Sequence, residues 1–246
     1  MRLLVKLRAT TNVKNQTQYN KNVQGLVYNI LRGSEFNCHD ESGYRFFSFS
    51  NIFPSKFENG DIRNGDIRNL IISSPNDRFI SYLKEQLEYL QNIQIGWMKF
   101  RVEYASKLNI ILPHHMFSLI TQTPIVINIR KYRYEELGYT VNNGYDSAYW
   151  RHDKPLKLFV TQLHDNLVKK YNAYQGSDND VEVEFTRFRF LREAATRLDQ
   201  KNIKIGSKWE FIFPQSSPIL QFGFDAGFGE SASLGFGFMN LRMMNN

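Results

Sequence analysis

The stretch Gly223-Phe-Asp-Ala-Gly-Phe-Gly-Glu-Ser-Ala-Ser-Leu-Gly-Phe-Gly-Phe238 is where the chain becomes readable. Two Gly-x-Gly units, Gly227/Gly229 and Gly235/Gly237, flank five residues that are small, polar or weakly apolar. Glycine tolerates positive φ and lets the backbone approach another surface closely, the arrangement in which exposed N–H groups come to face phosphate oxygens. Phe222, Phe224, Phe228, Phe236 and Phe238 would anchor such a loop to a core. No Gly-Lys-Ser/Thr follows, and the spacing is not the dinucleotide Gly-x-Gly-x-x-Gly that opens a helix. In a chain of net charge +7 the loop therefore points to a polyanion bound along the backbone.

Upstream of the loop, the pattern alternates between strand and helix periods. Leu3, Val5, Leu7 and Ala9 alternate with Arg2, Lys6 and Arg8, the period of a half-buried strand. Residues 18–31 place Val23, Leu26, Val27, Ile30 and Leu31 on one helical face, and Gly33 is a C-cap candidate. Strands are expected over 44–52 and 69–74, separated by a turn region that repeats Asn-Gly-Asp-Ile-Arg. A helix over 76–91 and a strand over 93–102 complete a β-α-β-β-α-β order, that of a ferredoxin-like unit. A second unit follows. Its expected elements are a strand from Pro124 that turns basic by Tyr134, an amphipathic helix over 155–174, and strands over 181–191 and 209–213, before the closing 219–242 segment. Residues 192–208 contain no helical pattern, so this unit reads as degraded. The fold expected is α+β, two tandem ferredoxin-like (RRM-like) domains over 1–120 and 121–246, the second one degraded and carrying the glycine-rich loop.

Composition narrows the function class. Hydrophobic content of 42% excludes a disordered chain, and 31 Lys and Arg against 24 Asp and Glu favour an anionic partner, nucleic acid above all. A single cysteine, Cys38, rules out an intramolecular disulfide and fits a reducing cytoplasm. Residues 1–8 are too short and too charged for a signal-peptide core, so no membrane contact is expected. There is no H-E-x-x-H, no Cys/His cluster and no carboxylate constellation with metal-site spacing, so no metal and no cofactor is expected.

The motif Gly-hydrophobic-Gly, about five residues, Gly-hydrophobic-Gly near the chain end resembles the C-terminal glycine-rich motif of the repeat-associated (RAMP) superfamily of CRISPR proteins. It most resembles the sixth CRISPR-associated family, endoribonucleases that cut precursor CRISPR RNA within its repeats. The likeness covers nearly the whole chain. It implies 2′-hydroxyl attack without metal, leaving a 2′,3′-cyclic phosphate and a 5′-hydroxyl. The partners it implies are the precursor CRISPR RNA repeat, other CRISPR effector-complex subunits and a second copy of the chain. The alternatives are a non-catalytic RNA-binding RAMP protein or effector-complex subunit, and an unrelated ferredoxin-like small-molecule module.

The same resemblance assigns roles to residues. His39 stands in the polar run Asn37-Cys38-His39-Asp40-Glu41-Ser42-Gly43 after the first helix, where the family keeps a histidine acting as general acid or base. The stretch His39-Asp-x-x-Gly-Tyr44, followed by Phe46-Phe-Ser-Phe-Ser50, resembles the family's run there. An imidazole with an ordinary pKa near ~6.5 also suits proton transfer at cellular pH. Tyr28 is the natural counterpart of the family's helix tyrosine. Arg45, six residues after His39, stands where the family's lysine would be sought, with Lys56 beyond it. A guanidinium can stabilise charge on a phosphate but cannot serve as proton donor. For binding, the residues singled out are Gly227, Gly229, Gly235 and Gly237, Arg130 and Lys131 in the basic-aromatic run to Tyr134, and Arg187 and Arg189. Alternation in Arg187-Phe-Arg-Phe190 puts both arginines on one strand face, as paired phosphate contacts require. Lys201, Lys204 and Lys208 would extend that patch, and His152 would add an RNA contact.

Overall fold

In the computed structural model, residues 1–14, 18–36, 43–54, 61–140, 144–178 and 181–243 are described. The first unit comprises β1 (Arg2–Ala9), α1 (Asn20–Leu31), β2 (Ser48–Phe49), β3 (Ile67–Ser73), α2 (Asp77–Leu90), β4 (Asn92–Ile95) and β5 (Met98–Leu108). Its antiparallel sheet runs β2-β3-β1-β5-β4. The β1–β3 register pairs Leu3 with Ile72 and Val5 with Leu70, all four buried, so the alternation read from the sequence decides which face meets the helices. Asn76 caps α2, its side chain accepting from the Phe79 N–H at 3.2 Å, and Phe79, Ile80, Leu83 and Leu87 fill its inner side.

Two strands of this unit differ from expectation. The 93–102 strand is a hairpin: Gly96 takes φ +61° and turns the chain between β4 and β5, which then continues to Leu108. The 44–52 segment pairs regularly only at Ser48–Phe49; Phe46 packs on the second unit, while Phe47 and Ile52 join the first unit's core and the Ser50 N–H donates to the Ile71 carbonyl.

The second unit comprises β6 (Phe117–Thr121), β7 (Asn128–Arg130), α3 (Lys131–Glu135), β8 (Ser147–Tyr149), α4 (Leu156–Gln175), β9 (Arg187–Arg197), β10 (Ile203–Phe213), α5 (Pro218–Ala226) and β11 (Met239–Met243). Its four-stranded sheet runs β11-β6-β10-β9. With β7, α3 and β8 set aside as an insertion, this is again β-α-β-β-α-β, so the unit is not degraded. Its second helix is α5, downstream of the 192–208 stretch, which instead forms the long β9–β10 hairpin. Ser217 caps α5, accepting from the Leu220 N–H at 3.4 Å, and Pro218 opens it. Gly223 sits mid-helix because a Cβ there would lie 2.9 Å from Leu167 and 3.0 Å from Phe228. The expected boundary at 120/121 falls inside β6, which belongs to the second sheet. The segment from Pro124 is likewise not a strand throughout: β7 is short, and from Lys131 the chain is helical. No described helix is long and apolar enough to cross a membrane.

Candidate functional site

The glycine-rich loop lies in the seam between the two sheets, and all four of its paired glycines are buried. Its phenylalanines anchor it as expected, Phe222, Phe224, Phe228, Phe236 and Phe238 each being 4% exposed or less. The glycines themselves do a different job from the one expected. The Gly227 N–H donates to the Gly223 carbonyl, Gly235 to Ala232 and Gly237 to Pro124, so these amides are used within the protein. The close approach is to protein too. A Cβ on Gly235 would meet the Phe49 ring at 2.3 Å, one on Gly237 would meet the Phe228 carbonyl oxygen at 1.8 Å, and one on Gly229 would meet the Val126 oxygen at 2.7 Å. All four take positive φ. The first unit holds the loop from its side: Ser48 Oγ donates to the Phe236 oxygen at 3.0 Å, and Asn20 Nδ2 to the Leu234 oxygen at 2.8 Å.

Two buried cations pin the same loop. Lys170 of α4 donates from Nζ to the carbonyls of Gly227 at 2.6 Å and Gly229 at 3.0 Å. Burial pulls its ammonium down to about 7 against the pull of Glu230, whose own carboxyl burial pushes up. Arg2 of β1 reaches across the seam, donating from Nη2 to the carbonyls of Phe224 at 3.1 Å and Met239 at 2.7 Å. Its guanidinium lies 3.7 Å and 4.3 Å from the ring centroids of Phe224 and Phe238. Burial lowers it to about 10, with Asp225 opposing.

Tyr28 stands beside this seam. Gln24 Nε2 donates both to Tyr28 Oη at 3.4 Å and to Ser233 Oγ of the glycine loop at 3.0 Å. The Tyr28 ring meets Phe47 edge-on at 6.1 Å. Phe36 and Phe47 both pack on Phe79, with centroids at 6.0 Å and 5.6 Å. His39 and Lys56 lie outside the described residues. Arg45 follows Tyr44, half-buried, with Nη1 donating to the Gly43 oxygen at 3.3 Å. Its neighbour Phe46 packs on Tyr174 and Phe222 of the second unit. The segment 43–49, α1 and the glycine loop therefore meet at one place. Among the described residues no three His, Cys, Asp or Glu side chains cluster with metal-site geometry.

The basic residues divide between two faces. Phe188 and Phe190 turn inward onto Trp209, at 5.8 Å and 5.2 Å, leaving Arg187 and Arg189 exposed on the open face of the second sheet. Arg189 is engaged there, its Nη2 2.7 Å from Glu210 Oε2, and Arg242 reaches the other oxygen of that carboxylate at 3.3 Å. Arg130 and Lys131 open α3 on the opposite, helical face, where Arg133 donates to Gln162 of α4 at 3.1 Å. They do not join the Arg187/Arg189 patch. Lys204 lies over the Tyr149 ring at 5.7 Å, and Lys208 donates to the Gln122 oxygen at 2.8 Å, so only Lys201 of the three extends outward. His152 is tied to Glu193, with Nδ1 3.2 Å from Oε1, and stacks on Phe190.

This geometry has known relatives. The model of the family described as CRISPR associated protein Cas6, C-terminal, matches residues 107–241. The CRISPR-associated endoribonuclease Cas6 of Haloferax mediterranei is 30% identical over 262 residues, spanning 98% of this chain and 93% of its own. The chain belongs to the Cas6 family. A second Cas6 relative, CRISPR-associated endoribonuclease Cas6 2 of Methanocaldococcus jannaschii, is 30% identical and covers 89% of this chain and 90% of its own. A solved RAMP protein binding different RNA substrates superposes with TM-score 0.78 at 23% identity, covering 98% and 99% of the two chains, a likeness of fold. The Cas6 match begins at 107, at the end of β5, and runs to 241, so it takes in the second unit up to the middle of β11.

The residues that hold this Cas6 seam together escape a reading of the sequence. Lys170 has a visible signal: it falls on the Leu163–Leu167 stripe of α4, where an apolar residue is expected. Arg2 has none, since a strand-terminal arginine reads as solvent-facing. Gln24 and Ser48 are polar residues beside apolar runs, and only the register of the seam reveals their partners.

Proposed function

We propose that this chain is a metal-independent endoribonuclease that cuts precursor CRISPR RNA within its repeats. The observation that carries this reading is the 30% identity, over 98% of the chain, to a CRISPR-associated endoribonuclease. The meeting of α1, segment 43–49 and the glycine loop supports it with a place for the chemistry. The 2′-oxygen on the 5′ side of the cut bonds to phosphorus as the P–O5′ bond breaks. One proton leaves the 2′-hydroxyl and one arrives at the 5′-oxygen, giving a 2′,3′-cyclic phosphate and a 5′-hydroxyl. Proton transfer falls to His39 with Tyr28 assisting, and Arg45 stabilises the charge that builds on the phosphate. Acid–base transfer of this kind contributes roughly 10²–10⁴-fold, and positioning supplies much of the remainder.

Single-turnover cleavage of labelled repeat RNA tests the reading. A single 2′-deoxy substitution 5′ of the cut is expected to abolish cleavage with binding intact, and His39→Ala to slow it by about 10²-fold or more. Cleavage is expected to persist in excess EDTA. Efficient cutting of the deoxy substrate would assign the attack to water instead.

A further inference from the structure

A cleft of about 930 Å³, within the size range of ligand sites, opens in the second unit between the β7–β8 hairpin and the start of β10. Every residue lining it belongs to that unit, and none belongs to the seam around Tyr28. Tyr134 lines its inner wall, with its side chain fully buried and its hydroxyl without a hydrogen-bond partner. An unpaired buried hydroxyl costs about 1–3 kcal/mol, and a ligand group in the cleft would satisfy it. Desolvation, with the nearby Asp153 carboxylate, pushes the phenol up to about 12, so at neutral pH it stays a hydrogen-bond donor.

The rest of the lining is aromatic and basic. Tyr145 is 75% exposed, and Tyr149 carries Lys204 against its ring. Arg151, Lys154 and Lys201 stand around the opening, with Asp153 the acidic residue of the lining. Arg151 also meets Glu193 at 3.2 Å, and Lys154 meets Asp153 at 3.3 Å, so Lys201 is the cation least engaged by carboxylates. A buried neutral donor, accessible rings and a cationic rim suit a planar base attached to phosphate. The cleft is also connected to the seam: the turn that supplies Lys201 and Asn202 holds Asp199, which pairs with Lys21 of α1, the helix of Tyr28.

We propose that this cleft binds one unpaired nucleotide of the RNA substrate, its base toward Tyr134 and Tyr145 and its phosphates toward Lys201 and Arg151. The proposal rests on the RNA-cleaving function proposed above and adds to it a gripping site remote from the cut.

Short fluorescein-labelled oligouridylate and oligoadenylate, titrated against wild type and three variants, test it. Tyr145→Ala is expected to weaken binding about tenfold, because the base loses a stacking surface. Lys201→Ala is expected to weaken it several-fold and to make its salt dependence shallower. Tyr134→Phe is expected to weaken binding about fivefold while its melting temperature holds or rises, because it removes only an unpartnered hydroxyl. Oligouridylate carrying 4-thiouridine is expected to crosslink within residues 144–154. Wild-type binding that is unchanged in all three variants, or crosslinks confined to other segments, would overturn the cleft and leave the RNA function standing. A wild-type protein that binds neither oligomer nor repeat RNA would overturn both.

Discussion

The seam between the two sheets and the open face of the second sheet are built from the same residue types, cations next to phenylalanines, and use them oppositely. In the seam, Arg2 lies on Phe224 and Phe238, and Lys170 is fully enclosed; both donate to backbone carbonyls. On the open face, Phe188 and Phe190 turn inward and Arg187 and Arg189 face solvent. A cation whose hydrogen bonds go to fixed carbonyls in a dry seam orders the backbone and is withdrawn from any external phosphate. An exposed arginine contributes little to stability and keeps its donors available for exchange. The difference separates what shapes the glycine loop from what can meet RNA.

The sharpest way to break the seam is to add one carbon atom. Gly237→Ala places a Cβ 1.8 Å from the Phe228 oxygen at φ +67°, so the loop or the strand beside it must move. A loss of about 4 kcal/mol or more in urea unfolding is expected, in the range reserved for severe core strain. Gly33→Ala is the control, since φ is +79° there but nothing lies within 4 Å, and its cost should stay near ~1–2 kcal/mol. Equal costs for the two would mean that backbone conformation, not close packing, explains the paired glycines.

Lys170→Met tests the buried clamp through its pH dependence. The folded ammonium is pulled down to about 7, while the unfolded one keeps the ordinary lysine value of 10.5. Between those values the unfolded chain binds more protons, so wild-type stability rises with pH there, at up to about 1.4 kcal/mol per pH unit. Below that window both states are protonated and the full cost of burying the charge is felt. Glu230 is shifted the other way, its carboxyl pushed up by burial while Lys170 and Lys204 pull it down. The stability of wild type relative to Lys170→Met is therefore expected to climb from about pH 7 to about pH 10. Parallel curves for the two proteins would show that the Lys170 ammonium titrates alike in the folded and unfolded chains, solvated rather than enclosed.

Seam and open face also differ in how much of them is legible in the chain alone. Strand β1, helices α1, α2 and α4 and the inward phenylalanines of β9 follow from hydrophobic periodicity, because in each the buried face is a simple stripe. Helix α5 is hidden: Gly223 and the Phe-Gly alternation read as loop or strand, and only its packing against Leu167 explains a glycine mid-helix. The glycine motif is plain in the sequence, but its contacts are not. Whether a glycine faces a ligand or a neighbouring strand depends on residues far away in sequence, such as Phe49 and Ser48. Tyr28 falls on its helix as expected, while its link to Ser233 runs through Gln24, whose bond to Ser233 spans 209 positions and leaves no local trace. His39 lies outside the described residues, so its role rests on the family resemblance.

The smallest expected change comes from the open face and divides its two arginines. Removing both Arg187 and Arg189 should leave stability within about 0.5 kcal/mol of wild type, as for other exposed sites. RNA affinity should fall, and the plot of log affinity against log salt should flatten by roughly 0.7–0.9 for each phosphate that is no longer neutralised. The contributions should not be equal. Arg189 must give up a two-nitrogen contact with Glu210, at 2.7 Å and 3.2 Å, before it can serve a phosphate, whereas Glu210 would keep Arg242 as a partner. Arg187→Ala alone is therefore expected to account for most of the flattening, and Arg189→Ala for the smaller part. Adding Glu210→Gln should free Arg189 and bring its share up to that of Arg187, measured by filter binding over a salt series. If affinity and slope are unchanged in the folded double variant, the patch is an ordinary solvated strand face and the RNA path runs elsewhere.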